Sequence, residues 1–242
     1  MYKECIVLAG GLGSRLQPVV SDVPKCLAPV QQKPFLYYLC NWLGRQKVSR
    51  VIFSLGYKSE LVTAYLDTCR EQFPLEIVFS VEEEPLGTGG AILLAMQHVL
   101  GDDVLIINGD TFFDIPLDDF VQFHRNGMAD CSIALKPKAE ADRYGLVHLN
   151  EQHQVIRFSE KEKGSAGLIN GGIYCLFKNS FLSIPFPKAF SFEKDFLQAM
   201  VTEREMLGYV SDAYFLDIGI PEDYERAQRE IPVHAENNDH VD

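Results

Sequence analysis

A glycine-rich segment near the start of the chain has the composition of a phosphate-binding loop. Glycines allow backbone N–H groups to approach a ligand closely, and successive N–H groups of this kind form a nest that binds anions. Arg15 and Lys25 supply the charge and the hydrogen-bond donors that suit phosphate. The segment therefore predicts a phosphate site, with a tight turn and two surface cations as the alternative. Its candidate nucleotide-binding residues are Leu8, Ala9, Gly10, Gly11, Gly13, Ser14 and Arg15.

The order of these glycines differs from two common nucleotide-binding motifs. Residues 10–13 do not form GxGxxG, and no GxxxxGK[ST] pattern is present. The second predicted strand, Arg50–Leu55, ends in Gly56 and Tyr57 rather than in an acidic residue. A hydride-transferring dinucleotide enzyme is therefore not favoured.

Two aspartates each follow an apolar strand. Val104–Ile107 leads into Asn108 and Asp110, and residues 214–216 lead into Asp217. Strand ends of this kind can meet at one edge of a sheet, where two carboxylates, phosphate oxygens and water suit Mg²⁺. Either aspartate alone could instead cap a turn or a helix. Together with the glycine loop, Asp110 and Asp217 predict a magnesium site.

Three adjacent glutamates, Glu82, Glu83 and Glu84, precede Gly87 and Thr88 at the start of a predicted helix. A carboxylate only accepts hydrogen bonds. Guanine offers two adjacent donors on its pairing edge, whereas uracil offers one donor between two acceptors. The segment therefore predicts a loop that selects guanine. Which glutamate contacts the base stays open, and a solvated acidic loop is the alternative.

The elements that must position these residues alternate between strands and helices in the first half of the chain. Such alternation predicts βαβ units and a mostly parallel sheet covered on both faces. The predicted strands are Glu4–Leu8, Arg50–Leu55, Leu75–Val81 and Val104–Ile107. The predicted helices are Pro34–Lys47, Lys58–Gln72 and Thr88–Leu100.

The second half has closely spaced strands, which predict mixed or antiparallel additions to the sheet. We expect one domain over residues 1–231, with a nucleotide-binding half at about 1–112 and a second half at about 113–231. Residues 232–242 are polar and predict a flexible tail. The strands of this half are Cys131–Lys136, Gly145–Leu149, Val155–Phe158 and Gly172–Phe177, and its helices are Phe192–Thr202 and Pro221–Arg229.

The formal net charge of −12 disfavours binding to nucleic acid or to anionic membranes. No stretch is apolar over the length that a membrane span needs. The six cysteines have no metal-ligand spacing and predict scattered reduced thiols, which favours the cytoplasm. Any polyanionic substrate must therefore meet a local cluster of positive charge.

The motifs LAGGLGSRL and PKCLAPV resemble the signature of the sugar nucleotidyltransferases, GGxGTRL followed by PKxLxPV. Ser14 stands in place of the commoner threonine. The segments EPLGTGGA, NGD and LDIGIPEDY are similar to the base-reading loop and the two metal-binding segments of that family. The resemblance implies a Rossmann-like three-layer α/β/α fold with a mixed, mostly parallel central sheet and a small antiparallel sheet. It also implies that Arg15 and Lys25 contact the triphosphate.

The same resemblance implies a sugar site in the second half of the chain. Main-chain and polar side-chain groups contact sugar hydroxyls there, and Lys161 contacts the sugar phosphate. Taken singly, each of these segments could be an ordinary turn. The residues that match the family are Tyr144, Gly145, Glu160, Lys161, Asn170, Gly171 and, with a weaker match, Glu193.

The combination of PLGTGGAI, NGDTFFD, DRYG and GLINGGIY is similar to a subgroup that transfers GMP from GTP to a heptose 1-phosphate. This implies GTP and a sugar 1-phosphate as substrates, Mg²⁺ as cofactor, and a product used for cell-surface polysaccharide or glycoprotein synthesis. Mannose 1-phosphate as the sugar substrate and transfer of UMP or dTMP are the alternatives. A catalytically silent nucleotide-sensing subunit is a further alternative, and a homodimer is possible.

Overall fold

The computed structural model describes residues 3–11, 16, 20, 22–160 and 164–236. Its strands are β1 (Glu4–Leu8), β2 (Pro29–Val30), β3 (Lys33–Pro34), β4 (Arg50–Leu55), β5 (Glu76–Val81), β6 (Asp103–Asn108), β7 (Thr111–Phe113), β8 (Cys131–Lys138), β9 (Leu146–Leu149), β10 (Val155–Ser159), β11 (Gly167–Phe177), β12 (Met206–Val210) and β13 (Phe215–Asp217). Its α-helices are α1 (Phe35–Arg45), α2 (Ser59–Cys69), α3 (Gly87–Ala95), α4 (Leu117–Asn126), α5 (Lys178–Leu182) and α6 (Pro221–Glu236). A π-helical segment spans Phe192–Gln198.

The central sheet has the strand order β10-β9-β11-β6-β1-β4-β5, and β8 joins β11 to β12. Strands β5, β4, β1 and β6 run parallel. Strand β11 runs antiparallel to both β6 and β8, and β12 runs parallel to β8. Two short antiparallel pairs, β13 with β7 and β2 with β3, complete the fold. The predicted mixed, mostly parallel sheet is confirmed.

Each face of the sheet carries its own apolar core because successive side chains of a strand point to opposite faces. Cys5 and Val7 of β1 belong to the core under α1, α2 and α6. Ile6 belongs to the core under α3, α5 and the π-helical segment. Helices on both faces of one sheet form the three-layer arrangement that the sequence predicted.

Helix α1 shows how the pattern builds these layers. Its buried residues recur at helical spacing and include Phe35, Leu39 and Leu43, so one face of the helix is apolar throughout. Pro34 lies just before the first helical residue, where its fixed φ is compatible with helix entry. Helix α1 packs against α6, so the first and last α-helices of the described chain lie side by side.

The structure corrects the prediction for the end of the chain. Helix α6 continues to Glu236, beyond the predicted end at Arg229, and Ile231 and Pro232 are buried. The helix therefore extends through residues 232–236 of the predicted tail, and the flexibility of the tail stays a prediction. The rest of that predicted tail, residues 237–242, lies outside the described residues.

Helix α4 and strand β12 were missed by the sequence analysis. In α4 the buried residues Leu117, Phe120, Val121 and His124 follow helical spacing, but Asp118 and Asp119 make the segment look like a polar loop. The helix predicted at Phe192–Thr202 is instead π-helical and ends at Gln198. No helix in the described part of the chain is both long enough and apolar enough to span a bilayer.

Candidate active site

A cleft of about 780 Å³ opens at the carboxyl ends of β1, β4, β5 and β6. Open α/β sheets bind ligands at this edge. The cleft brings together many of the predicted nucleotide-binding residues from separate segments of the chain. Those that line it are Leu8, Ala9, Gly10, Gly11, Lys25, Glu82, Gly87, Thr88, Asn108 and Asp110, together with Glu193.

Main-chain contacts fix the start of the glycine loop against the neighbouring strand ends. Ala9 donates its N–H to the Ser54 carbonyl at 2.9 Å, and Tyr57 donates to the Gly10 carbonyl at 3.2 Å. A Cβ atom on Gly10 would lie 2.8 Å from the amide nitrogen of Gly56. These two segments of the backbone therefore approach each other too closely for a side chain at position 10. Gly13, Ser14 and Arg15 lie outside the described residues, and their roles stay predictions.

Asp110 and Asp217 meet beside Lys25. The Lys25 ammonium lies 2.5 Å from Asp110 Oδ2 and 3.7 Å from Asp217 Oδ1. Pairing of β13 with β7 sets Asp217 opposite Thr111, and Ile218 donates its N–H to the Asp110 carbonyl at 3.0 Å. Backbone pairing therefore holds together two carboxylates from distant parts of the sequence.

The acidic pair has the chemistry of a site for a hard divalent cation. Carboxylate oxygens are suitable ligands, and two of them leave room for phosphate oxygens and water. A Cβ atom on Gly219 would lie 2.8 Å from Asp217 Oδ1 and 3.2 Å from the Lys25 ammonium, so a glycine here keeps the space beside the pair open. Among the described residues, no third histidine, cysteine or acidic side chain joins the pair in a metal-binding group.

The three glutamates after β5 have different surroundings. Glu82 is half-buried, and its Oε2 accepts a hydrogen bond from the Leu86 N–H at 2.9 Å. Burial raises the pKa of the Glu82 carboxyl, and the Leu86 N–H opposes that shift. Glu83 and Glu84 are exposed, and Glu84 pairs with Lys188 at the surface.

The position of Glu82 separates it from its two neighbours. A Cβ atom on Gly10 would lie 3.1 Å from Glu82 Oε1, and one on Gly56 would lie 3.5 Å from the same oxygen. The carboxylate therefore stands against the ends of β1 and β4, on the inner side of the cleft. This position favours Glu82 as the candidate for reading a base.

The start of α3 is tied to the π-helical segment by a polar contact. Thr88 Oγ1 donates to Glu193 Oε2 at 2.7 Å and accepts from the Phe192 N–H at 2.9 Å. Ser191 Oγ also donates to Glu193 Oε2, at 3.1 Å. Glu193 thus links the predicted base loop to the second half of the chain. It lies in the π-helical segment, and π-helical turns often occur at functional sites.

The remaining predicted sugar-binding residues that the structure describes, Tyr144, Gly145, Glu160, Asn170 and Gly171, are not part of the cleft lining. Asn170 donates to the Tyr174 hydroxyl at 2.9 Å and accepts from the Gly172 N–H at 3.0 Å, so its amide orientation is fixed. The rings of Tyr144 and Phe215 pack edge to face at 6.4 Å.

Contacts around the two glycines of this region are mainly packing contacts. A Cβ atom on Gly145 would meet the Ser159 carbonyl at 2.8 Å, and one on Gly171 would meet the Phe113 ring at 2.5 Å. Glu160 is exposed directly after β10, and Lys161 lies outside the described residues. The sugar-binding roles of all these residues stay predictions.

Sequence reasoning missed several residues of the cleft. Gly56 and Tyr57 were considered only as evidence against a dinucleotide site, yet both line the cleft. The sequence signal that could have identified them is Gly56, which directly follows β4, the parallel neighbour of the strand β1 that leads into the glycine loop. Cys26 also lines the cleft and is buried, and this burial raises the pKa of its thiol to about 12. Glu83 and Glu84, the two other glutamates considered as candidates for base contact, also line the cleft. The other missed lining residues are Ser54, Pro85, Ala91, Gly109 and Gly219.

Residues 4–233 match the family model described as nucleotidyl transferase, and the chain belongs to that family. Enzymes of this family generally use a divalent metal ion. A D-glycero-α-D-manno-heptose 1-phosphate guanylyltransferase of Aneurinibacillus thermoaerophilus is 45% identical over 228 residues, which cover 94% of this chain and 98% of the relative. A protein of the same name from Campylobacter jejuni is 42% identical over 91% of this chain and 96% of its own length.

A solved structure supports the same comparison. HddC from Yersinia pseudotuberculosis complexed with GMP-PN superposes with a TM-score of 0.82 at 37% identity, over 94% of this chain and 98% of HddC. The predicted resemblance to sugar nucleotidyltransferases, and to their heptose 1-phosphate guanylyltransferase subgroup, is confirmed.

Proposed function

We propose that the protein transfers GMP from GTP to D-glycero-α-D-manno-heptose 1-phosphate and releases pyrophosphate and GDP-heptose. The observation that carries this proposal is the meeting of Lys25, Asp110 and Asp217 at the same sheet edge as the inward-facing Glu82. The names of the two relatives and the GMP-PN bound to HddC support the choice of guanine and heptose.

The reaction joins two anionic phosphates, so catalysis rests on positioning and on charge stabilisation. A phosphate oxygen of the sugar 1-phosphate attacks the α-phosphorus of GTP, and the bond from this phosphorus to the bridging oxygen breaks. Pyrophosphate leaves with the electron pair of that bond. The attacking oxygen is already ionised, so no general base is required.

Each predicted catalytic residue has a distinct role in this step. Lys25 and Arg15 stabilise the charge that develops on the departing pyrophosphate, and Lys161 orients the attacking phosphate. Asp110 and Asp217 would hold Mg²⁺, which when bound would neutralise phosphate charge at the reacting centre. Glu82 accepts the two adjacent donors of guanine.

A substrate panel tests the proposal. Pyrophosphate release is measured with each of the four nucleoside triphosphates and with heptose, mannose or glucose 1-phosphate, in Mg²⁺ and after chelation. We expect turnover with GTP and the heptose 1-phosphate, and its loss on chelation. Turnover with GTP and mannose 1-phosphate alone would reject the heptose, and turnover with UTP or dTTP alone would reject guanine.

A further inference from the structure

Lys138, at the end of β8, is a half-buried cation to which the proposed reaction assigns no role. It shares a face of the strand with Lys136 because side chains alternate along a strand. The Lys138 ammonium lies over the Phe215 ring, 5.4 Å from the ring centroid. This packing holds the charged end of Lys138 at a defined place beside β13.

The acidic group that acts on Lys138, Asp223, is paired with two other cations. Asp223 Oδ2 pairs with Arg143 at 2.7 Å, and Asp223 Oδ1 pairs with Arg226 at 3.0 Å. Within the described part of the chain, the Lys138 ammonium forms neither a hydrogen bond nor an ion pair within 4 Å. Lys138 is therefore a partly buried charge that contacts an aromatic face and has no described hydrogen-bond or ion-pair partner within 4 Å.

The electrostatic surroundings of Lys138 suit a bound anion. Burial lowers the pKa of its ammonium, the positive charges of Arg226, Arg143 and Lys136 lower it further, and Asp223 opposes them. A partly desolvated charge among like charges is unfavourable. An anion placed among these groups would relieve that repulsion.

The position of Lys138 indicates which anion this would be. Phe215 and Asp217 lie two residues apart on β13, which is roughly 7 Å along a strand, and they face the same side. The Tyr144 ring packs against Phe215 from the predicted sugar side. Lys138 therefore packs against the strand that ends in Asp217, a member of the acidic pair.

We propose that Lys138 binds the phosphate group of the sugar 1-phosphate and orients it toward the acidic pair. This inference rests on the proposed function, because it names a residue that recognises the second substrate. The half-buried ammonium over Phe215, and the occupation of Asp223 by two arginines, carry it.

Two matched variants test the inference. Lys138→Met should raise the KM for the sugar 1-phosphate about 10–100-fold, the size of a lost hydrogen bond to a charged group, and should leave the KM for GTP unchanged. Lys136→Met is the control, since Lys136 donates to the Asp212 carbonyl at 2.7 Å and so already has a partner. Lys138→Arg should recover most of the affinity. An unchanged KM in Lys138→Met, with or without a lower melting temperature, would overturn the inference.

Binding of inorganic phosphate separates this inference from the proposed function. Calorimetry is used to titrate phosphate into the wild type, Lys138→Met and Lys136→Met, each in the presence of a non-hydrolysable GTP analogue. Weaker binding to Lys138→Met alone supports the site even if the heptose 1-phosphate proves to be the wrong substrate. Equal binding to all three proteins rejects the site even if the enzyme makes GDP-heptose.

Discussion

Glu82 is the residue on which the choice of base depends in the proposed reaction. Its carboxylate faces Gly10 and Gly56 at the inner side of the cleft, while Glu84 pairs with Lys188 at the surface. An ionised carboxylate can accept both donors of guanine, whereas an amide presents one donor and one acceptor. Base selection is therefore a property of one side chain.

Glu82→Gln should lower kcat/KM for GTP by about 10–100-fold, the size of a lost charge-assisted hydrogen bond, and should improve the relative use of UTP. The measurement is pyrophosphate release with each nucleotide at a fixed sugar 1-phosphate concentration. Glu84→Gln is the matched control, because an exposed ion pair contributes little. An unchanged preference for GTP in Glu82→Gln would remove Glu82 from base recognition.

The activity should also depend on pH through Glu82. Because burial raises the pKa of this carboxyl, it becomes protonated at a higher pH than an exposed glutamate would. We expect kcat/KM for GTP to fall as the pH drops through that raised pKa, and the fall to disappear in Glu82→Gln. A pH profile that is identical in the two proteins would contradict this assignment.

At the scale of elements, the short pair of β7 and β13 positions the acidic groups. The pairing joins segments that are distant in sequence, and the Ile218 N–H to Asp110 carbonyl bond holds their ends together. The turn after β13 then passes so close to Asp217 and Lys25 that a side chain at position 219 would require the Asp217 carboxylate or the Lys25 ammonium to move.

Gly219→Ala should therefore displace Asp217 or Lys25 and reduce turnover on the order of 10²-fold, as small misplacements of catalytic groups can do. The metal concentration needed for half-maximal activity should rise as well. Circular dichroism and the melting temperature serve as controls for folding. Wild-type turnover with wild-type metal dependence would show that the space beside Asp217 is not part of the site.

The sequence was sufficient to predict this arrangement in part. Asp110 and Asp217 each follow an apolar strand, so their convergence at one sheet edge could be expected. Lys138 could not be identified in this way, because its surroundings arise when β8 and β13 are brought together in space. Helix α4 was missed because Asp118 and Asp119 interrupt the apolar residues in its first turn. Helix α6 was predicted too short because its last buried residues directly precede a polar stretch of sequence.

At the scale of the whole molecule, the carboxyl and amino ends of the parallel strands have different roles. The cleft lies at the carboxyl ends of the parallel strands, whereas Glu4 and Arg50 form a buried pair at their amino ends. Arg50 Nη1 donates to Glu4 Oε1 at 3.0 Å, and Leu100 N–H donates to Glu4 Oε2 at 2.9 Å. This cluster ties β1 and β4 to the loop before β6, far along the strands from the cleft.

Glu4→Ala should destabilise the fold by about 3–5 kcal/mol, the cost of leaving a buried partner unpaired. Its kcat at a temperature where the protein stays folded should remain close to that of the wild type. Urea unfolding followed by fluorescence gives the change in stability. Asp67→Ala is the control, because the ion pair between Asp67 of α2 and Arg70, just after that helix, is exposed and should contribute little. Equal stability of the two variants would contradict a structural role for the Glu4 cluster.

In the proposed reaction, GTP and a heptose 1-phosphate are joined directly beside Lys25, Asp110 and Asp217. Phosphorus NMR of a mixture of the protein, Mg²⁺, GTP and D-glycero-α-D-manno-heptose 1-phosphate tests it most directly. We predict that the paired signals of a sugar diphosphonucleoside and the signal of pyrophosphate appear together in equal amounts, while the signals of both substrates decline. Unchanged substrates, or conversion of GTP to GDP and phosphate without use of the sugar, would contradict the claim.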